Sequence, residues 1–331
     1  MVQTNSLKAW VLAARPKTLT GAIAPVLVGA AFVYVHFIQD TVSSQLSTLN
    51  CQLSTVNSQL FLCLLFAILM QIDANLINDY FDFKKGTDRE DRLGPERACA
   101  QGWITPRAMQ WGIVVMTVLS CLVGLAILFV HMQWELLIVG FLCVIFCFLY
   151  TTKLSYLGWG DLLVLVFFGL IPVVFTYYVM CPSSFGEGWE GVSLFIASFA
   201  MGLATDNLLM VNNYRDRHQD RISGKRTIIV RIMEAAIKKY GEEEGIAKSD
   251  RICQNIYLWL GVVSTLLAFT AILVFPLSTI HNPIMLVYFV LHIRTFQQLK
   301  TLEGKALNQV LGATARNIFL FGLFLALSVI V

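Results

Sequence analysis

Residues 60–82 read LFLCLLFAILMQIDANLINDYFD, an apolar run that ends in polar residues. Its length suits a helix that spans a bilayer, which needs about 20 predominantly apolar residues. Asp73 and Asn75 interrupt the run, and polar or ionisable residues at membrane depth usually face the interior of a helix bundle. The stretch therefore predicts a membrane helix with a polar site at one end.

The polar end of this stretch is repeated later in the chain. Residues 78–82 (NDYFD) and 212–216 (NNYRD) share the pattern N-x-Y-x-D, and each is followed by a further acid, Asp88 and Asp220 respectively. Asn and Asp four residues apart lie on one face of a helix. Mg²⁺ bound by few carboxylates usually completes its coordination with substrate phosphates. The two motifs therefore predict one shared site for a diphosphate.

The composition is that of a membrane protein. Of the 331 residues, 57% are hydrophobic and 14% are charged, whereas a soluble domain carries about 25% charged residues. We predict a single all-α integral membrane domain over residues 1–331, with about nine transmembrane helices in the lipid bilayer. These helices are expected at about 19–38, 59–78, 108–130, 135–152, 161–180, 191–211, 255–275, 283–299 and 309–330.

The distribution of basic residues predicts the orientation. With a cytoplasmic N-terminus, 22 of the 24 Lys and Arg residues fall in cytoplasmic segments, which are normally enriched in them. Both motifs then face the cytoplasm, and we predict a multi-pass protein of the cytoplasmic (inner) membrane. The net charge of +3 is explained by this bias, so no nucleic-acid partner is predicted.

One segment differs from the apolar helices and basic loops described so far. Residues 44–57 contain two copies of a polar seven-residue unit, SQLSTLN and CQLSTVN. We interpret 40–58 as a low-complexity insertion in an extracytoplasmic loop, with no chemical role.

The paired motifs, at the ends of the second and sixth of nine helices, resemble those of the UbiA superfamily of intramembrane prenyltransferases. Further similarity lies in residues 14–19 (ARPKTL), 224–227 (GKRT) and 307–315 (LNQVLGATA). The resemblance is closest to the branch that uses 1,4-dihydroxy-2-naphthoate, because that branch has a longer first motif. Here Gly86 occupies the third motif position, and the next acid, Asp88, comes two residues later.

The resemblance implies a Mg²⁺-dependent transfer of a polyprenyl group from polyprenyl diphosphate to 1,4-dihydroxy-2-naphthoate. Loss of CO₂ and diphosphate would give demethylmenaquinone, in menaquinone biosynthesis. Mg²⁺ neutralises the charge that develops on a leaving diphosphate, and Lys and Arg donors add to this effect.

The residues expected at this site fall into three overlapping groups. The catalytic residues are expected to be Asn78, Asp82, Asp216 and Asp220. The metal ligands are expected to be these four together with Asp88. The substrate-binding residues are expected to be Arg15, Asp79, Tyr150, Lys153, Asn213, Lys225 and Arg226.

Three alternative interpretations stay open at this point. The acceptor could be 4-hydroxybenzoate, haem or a chlorin on the same fold. The protein could be a transporter, since transporters also carry internal repeats, although their sites usually lie near the bilayer midplane. Finally, the acids of the second motif could simply pair with the interleaved Arg215, Arg217 and Arg221.

Overall fold

The structure is a computed structural model that describes residues 2–40, 46–86, 92–131, 133–182, 185–186, 188–275 and 283–330. All regular secondary structure in these ranges is helical. The α-helices are α1 (Leu7–Ala14), α2 (Pro16–Asp40), α3 (Leu46–Lys85), α4 (Pro106–His131), α5 (Glu135–Leu149), α6 (Gly160–Leu165), α7 (Ile171–Met180), α8 (Gly188–Ile222), α9 (Ile228–Tyr240), α10 (Glu242–Val274), α11 (Met285–Thr301) and α12 (Leu307–Ile330). Helices satisfy their own backbone hydrogen bonds, as a lipid environment requires.

Two π-helical segments extend this list. One, Tyr150–Leu154, continues α5, and the other, Val166–Leu170, joins α6 to α7 into one spanning unit. Single π-helical turns are rare and often lie at functional sites.

The nine predicted membrane helices are all present in the described part of the chain. Eight helical units there are long and apolar enough to cross a membrane. The ninth is α11, which has 17 residues, at the short end of the range for a spanning helix. Large apolar side chains such as Trp111, Phe129 and Trp259 are exposed on the outside of the bundle, as expected of a surface that faces lipid.

The interpretation of residues 40–58 as a loop is wrong for the part that the structure describes. Helix α3 begins at Leu46, so the repeat extends this helix, while residues 41–45 lie outside the described residues. Val56 is 4% exposed in the main hydrophobic core, and Tyr34 of α2 donates a hydrogen bond to Asn57. Val56 and Asn57 of the second repeat therefore pack against the bundle, which the polar composition of the segment concealed.

The long helix α8 lies at the centre of the bundle and packs against α10, α12 and α6. Two glycines allow it to approach the π-helical segment closely. A Cβ atom added to Gly169 would lie 2.6 Å from the Cα of Gly202, so neither position has room for a side chain. Small residues at such crossings are common where membrane helices pack. This packing holds the second motif, at the end of α8, close to the segments on either side of α6.

Candidate functional site

The first motif lies in the last two turns of α3. Asn78, Asp79 and Asp82 precede Gly86, which ends the helix with a φ of +68°, a value that favours glycine. Asn78 accepts a hydrogen bond from the hydroxyl of Thr151, in the π-helical turn after α5. The motif is therefore connected directly to the segment that carries Tyr150.

Asp79 fixes the loop that follows the first motif. Its side chain is buried, and its two carboxylate oxygens accept the main-chain N–H groups of Ala98 and Cys99 at 2.8 and 2.9 Å. This carboxylate therefore holds the loop that follows the first motif, and its expected role in substrate binding stays a prediction.

Asp82 is surrounded by basic residues from four segments of the chain. Its Oδ2 atom lies 3.0 Å from a guanidinium nitrogen of Arg97, and Arg97 is almost completely buried. Asp82 also interacts electrostatically with Lys225, Arg92, Arg15 and Lys85. Such a concentration of positive charge beside acidic groups suits a ligand with several negative charges.

Arg15 is held at the junction between α1 and α2. It has a φ of 50°, in the left-handed region, where few residues other than glycine are found. The side-chain amide of Asn75 donates to the carbonyl oxygen of Ala14 at 2.9 Å and to the hydroxyl of Thr18 at 3.0 Å. These bonds fasten the junction to α3 one to two turns before Asp82. The prediction that Asn75 faces the bundle interior is confirmed.

Arg215 fixes the geometry of the second motif. It donates two hydrogen bonds to Asp216, at 2.7 and 2.6 Å, and one each to Asn212 and Asn308, at 2.8 and 2.9 Å. The interpretation in which an acid pairs with its neighbouring arginine is thus correct for Asp216. Paired arginine–carboxylate geometry of this kind is among the stronger polar interactions in proteins.

The same arginine connects the second motif to the loop after the first one. Asn308, at the start of α12, donates to the carbonyl oxygen of Leu93 at 2.7 Å. A Cβ atom added to Gly94 would lie only 2.6 Å from a guanidinium nitrogen of Arg215. The loop therefore lies directly on the buried guanidinium group, and the two motifs share one supporting structure.

Asp220 contacts the loop that follows the second motif. Its Oδ1 atom lies 3.7 Å from the Lys225 ammonium group, and its main-chain carbonyl accepts the N–H of Lys225 at 2.9 Å. Asp220 also interacts electrostatically with Asp216 and Asp82. Within the described residues, its Oδ2 atom is buried without a hydrogen-bond partner, so the carboxylate retains an open coordination position.

The other two arginines of the second motif turn away from the site. Arg217 forms an ion pair of 2.9 Å with Asp250 of α10, and Arg221 forms one of 2.8 Å with Glu242. The interpretation in which every acid of the motif pairs with a neighbouring arginine therefore does not hold for Asp220.

A narrow cleft opens beside Lys225. It is lined by Tyr150, Ser155, Gly158, Gly160, Asp161, Leu209, Asn213, Lys225 and Thr227. Three of the residues expected to bind substrate, Tyr150, Asn213 and Lys225, thus lie around one space. The hydroxyl of Thr227 accepts the N–H of Val230 at 3.2 Å and caps α9, which fixes the loop that carries Lys225.

Two of the predicted substrate-binding residues, Lys153 and Arg226, do not line this cleft. Lys153 is exposed on the π-helical turn, and Arg226 is exposed while its main-chain N–H donates to the carbonyl oxygen of Tyr156 at 2.9 Å. Asp88 lies outside the described residues. The substrate-binding roles of Lys153 and Arg226 therefore rest on sequence alone.

Several residues near the two motifs were missed in the sequence. They are Lys85, Arg92, Arg97 and Asp161. The repeated motifs gave a signal for Lys85, Arg92 and Arg97, because basic residues follow both motifs. We predicted a role only for the basic residues that follow the second motif. Asp161 gave no comparable signal, since it is a lone acid at the start of an apolar segment.

The residues at the site suit Mg²⁺ only in combination with a phosphate ligand. Among the described residues, no group of three or more His, Cys, Asp or Glu side chains comes close enough to hold a metal ion. Mg²⁺ does not need such a cage, because it is usually bound through one or two carboxylates, substrate phosphates and water. The open Oδ2 atom of Asp220, with Asp82 nearby, meets that requirement.

The fold and the site define a multi-pass α-helical membrane protein with one polar site, built from two repeated motifs at the ends of two helices. Residues 22–308 match the profile of the UbiA prenyltransferase family, and the chain belongs to this family. It is therefore a membrane prenyltransferase, and the predicted family is confirmed.

Two bacterial relatives carry the same functional name. The 1,4-dihydroxy-2-naphthoate octaprenyltransferase of Escherichia coli (strain K12) is 34% identical over 246 residues, which cover 72% of this chain and 73% of the relative. The protein of that name from Mycobacterium tuberculosis (strain ATCC 25618 / H37Rv) is 32% identical over 234 residues, covering 70% of this chain and 72% of the relative.

A solved structure shares the fold over nearly the whole chain. It is described as the structure of a UbiA homolog from Archaeoglobus fulgidus bound to GPP and Mg²⁺. The TM-score is 0.56 at 17% sequence identity, and the match covers 97% of this chain and 99% of the other. The all-helical fold class is thereby confirmed.

Proposed function

We propose that this protein transfers a polyprenyl group from polyprenyl diphosphate to 1,4-dihydroxy-2-naphthoate, with loss of CO₂ and diphosphate, to give demethylmenaquinol, the hydroquinone form of demethylmenaquinone. The observation that carries this proposal is the convergence of the two motifs, since Asp82 interacts electrostatically with Lys225 as well as with basic residues of its own half. The choice of acceptor is supported by the bacterial relatives at 32–34% identity that bear the name of this activity.

The basic residues bind the diphosphate in this proposal. Lys225 lines the cleft, Arg97 contacts Asp82, and Arg15 lies within electrostatic range of the same carboxylate. When the bond between the prenyl carbon and oxygen breaks, negative charge grows on the departing diphosphate. Cations held in fixed positions stabilise that charge without having to reorganise, which is the main source of catalysis in such sites.

Mg²⁺ would be held by Asn78, Asp82, Asp216 and Asp220, with Asp88 as a further candidate ligand. A carboxylate oxygen has two lone pairs, so Asp216 can bind a cation while it accepts hydrogen bonds from Arg215. When bound, the ion supplies Lewis-acid stabilisation of the leaving diphosphate.

Tyr150 and Asn213 are proposed to contact the substrates where the head group meets the apolar interior, because they line the cleft together with Lys225. The prenyl chain is apolar and is expected to extend between the membrane helices. We further propose the cytoplasmic membrane as the location, with the site on the cytoplasmic side, because of the bias in basic residues.

Purified protein with Mg²⁺ and a polyprenyl diphosphate provides the test, with 1,4-dihydroxy-2-naphthoate and 4-hydroxybenzoate offered as separate acceptors. Diphosphate release and product mass are measured. We expect demethylmenaquinol and CO₂ from the naphthoate and little product from 4-hydroxybenzoate. Efficient transfer to 4-hydroxybenzoate alone would contradict the proposed acceptor and leave the enzyme class intact.

Loss of either motif tests whether they form one site. We expect Asp82→Ala and Asp216→Ala each to abolish transfer at saturating Mg²⁺, because both sets of oxygen atoms serve a single metal–diphosphate cluster. A matched control is Asp250→Ala, which removes an acid of α10 that pairs with Arg217 away from the site. Near-normal turnover by either motif variant would show that the two motifs act separately.

A further inference from the structure

A short loop contacts the chain after the first motif as well as the chain after the second. It consists of residues 155–159 (SYLGW), which connect the π-helical turn after α5 to helix α6 and which we call the bridging loop. The sequence predicted no role for these five residues, and the function proposed above assigns them none. Their contacts nevertheless involve Lys85 on one side and residues 226–231 on the other.

Lys85, just after Asp82, anchors the bridging loop to the first motif. Its ammonium group donates hydrogen bonds to the carbonyl oxygens of Thr151 and Thr152 in the adjoining π-helical turn, at 3.3 and 2.9 Å. The same group lies 3.8 Å from the centre of the Tyr156 ring, within the range of a cation–π interaction. The start of the bridging loop is therefore held against the end of α3.

The chain after the second motif is bonded to the main chain of the same loop. The N–H group of Arg226 donates to the carbonyl oxygen of Tyr156 at 2.9 Å. The guanidinium group of Arg231, in the first turn of α9, donates to the carbonyl oxygen of Leu157 at 2.6 Å. Two successive carbonyl groups of the bridging loop thus hold the segment that begins at Lys225.

These bonds fix the backbone on both sides of Lys225. The N–H group of Lys225 donates to the carbonyl oxygen of Asp220 at 2.9 Å, within the second motif. The next N–H group along the chain, that of Arg226, donates to the bridging loop. Both peptide groups that flank the Cα atom of Lys225 are therefore held, and one of the two bonds comes from the loop.

Gly158 makes the close contact between the two segments possible. Its φ is +80°, in the region that favours glycine. A Cβ atom added to it would clash with the carbonyl oxygen of Arg226 and lie 3.3 Å from a guanidinium nitrogen of Arg231. Any side chain at this position would therefore push the segment that carries Lys225 away from the bridging loop.

We propose that the bridging loop positions the ammonium group of Lys225 for the diphosphate, with Gly158 and Arg231 as the positioning residues. The proposal rests on the proposed function, because it concerns the binding of the head group there. Gly158 and Lys225 line the same cleft, and the ammonium group lies 3.7 Å from Asp220. A cation stabilises a leaving group most effectively when its position is fixed before the reaction.

The test measures the Kd of geranyl diphosphate for the full-length protein, with Mg²⁺ and without an aromatic acceptor. Arg231→Ala removes a hydrogen bond from a charged donor, so we expect Kd to rise about threefold to tenfold. Gly158→Ala adds a clash and a strained φ, so we expect a rise of at least about tenfold. Arg251→Ala, at an exposed arginine of α10, is the matched control and should bind like the parent.

A double-mutant cycle with Lys225→Ala separates positioning from a merely structural role. If Gly158 and Arg231 act through Lys225, neither change should raise Kd more than about twofold once the ammonium group is absent. A general loss of structure would instead multiply the separate defects. Arg231→Ala alters only an exposed side chain, so this arm of the cycle decides the question even if Gly158→Ala does not fold.

Two results would overturn the proposal. One is a parent-like Kd for Arg231→Ala or for folded Gly158→Ala, and the other is an undiminished effect of either change in the Lys225→Ala background. Because binding is measured without acceptor, a parent that binds geranyl diphosphate but does not prenylate the naphthoate would contradict only the proposed function. A parent that does not bind geranyl diphosphate would overturn both.

Discussion

At the scale of single residues, Arg215 donates four hydrogen bonds at the site, more than any other side chain described above. It is buried, and it joins α8 to α12 and to the loop after the first motif. A buried charge that loses one of its partners leaves the others uncompensated, at a cost of several kcal/mol. Substitution of Arg215 is therefore expected to slow catalysis strongly, although Arg215 need not touch substrate.

We predict that Arg215→Lys lowers the transfer rate at least tenfold. Lysine keeps the charge but cannot form the paired bonds to Asp216 or reach Asn212 and Asn308 together. The measurement is the initial rate at equal abundance in membranes. Arg221→Lys is the control, because Arg221 pairs with exposed Glu242 away from the site. Equal rates for the two variants would contradict the role of Arg215.

Gly94→Ala tests the contact between Arg215 and the loop after the first motif, this time by changing the loop. Its Cβ atom would lie 2.6 Å from the Arg215 guanidinium group, which three residues hold in place, so the loop must move. We expect a tenfold or greater loss of kcat with the protein still inserted in the membrane. Gly140→Ala is the control, because nothing lies within 4 Å of its added Cβ atom. A fully active Gly94→Ala enzyme would show that the loop can move without any loss of kcat.

Lys225→Ala addresses the binding of the head group. Because Lys225 lines the cleft and contacts Asp220, we expect KM for prenyl diphosphate to rise at least tenfold while KM for the aromatic acceptor changes little. Lys238→Ala, on the exposed side of α9, is the control. The assignment is refuted by a variant in which only the acceptor KM rises.

At the scale of helices, the second repeat of residues 44–57 shows where the sequence was misleading. Polar low-complexity sequence predicted a loop, yet α3 continues through it, and Val56 and Asn57 make side-chain contacts with the bundle. Such contacts depend on which residues α2 presents at that depth, and composition carries no such information. By contrast, the apolar runs predicted the membrane helices well, because span length is set by bilayer thickness.

The extent of α3 divides residues 42–57 into two parts that are expected to respond differently to replacement. Replacing residues 42–53 with a Gly/Ser linker should preserve specific activity, since loop length costs only about 0.6 kcal/mol per doubling. Extending the replacement to residue 57 removes Val56 and Asn57 and should lower thermal stability in detergent. The two linker proteins are compared at equal membrane abundance. Equal stability would show that the packed end of the repeat contributes nothing.

At the scale of the whole molecule, the sequence predicted which motifs meet but not what holds them. The repeated N-x-Y-x-D pattern identified Asp82 and Asp216 from opposite halves of the chain. The supporting contacts of Arg97, Arg215 and Asn308 join residues far apart in sequence, and the role of Asp79 became apparent only from its bonds to the loop. Long-range partners of this kind leave no local pattern.

The bond between Asn308 and the loop at Leu93 also sets an order for the making of this protein. Both motifs emerge from the ribosome and enter the bilayer well before α12 is synthesised. Until then, Arg215 lacks one acceptor and the loop lacks its donor, so the half-inserted chain carries an incompletely paired charge near the membrane. Nascent chains at that stage are expected to depend on insertion chaperones and to be prime targets of membrane proteases. We therefore expect stability and activity to be gained together when α12 packs against the loop at Leu93.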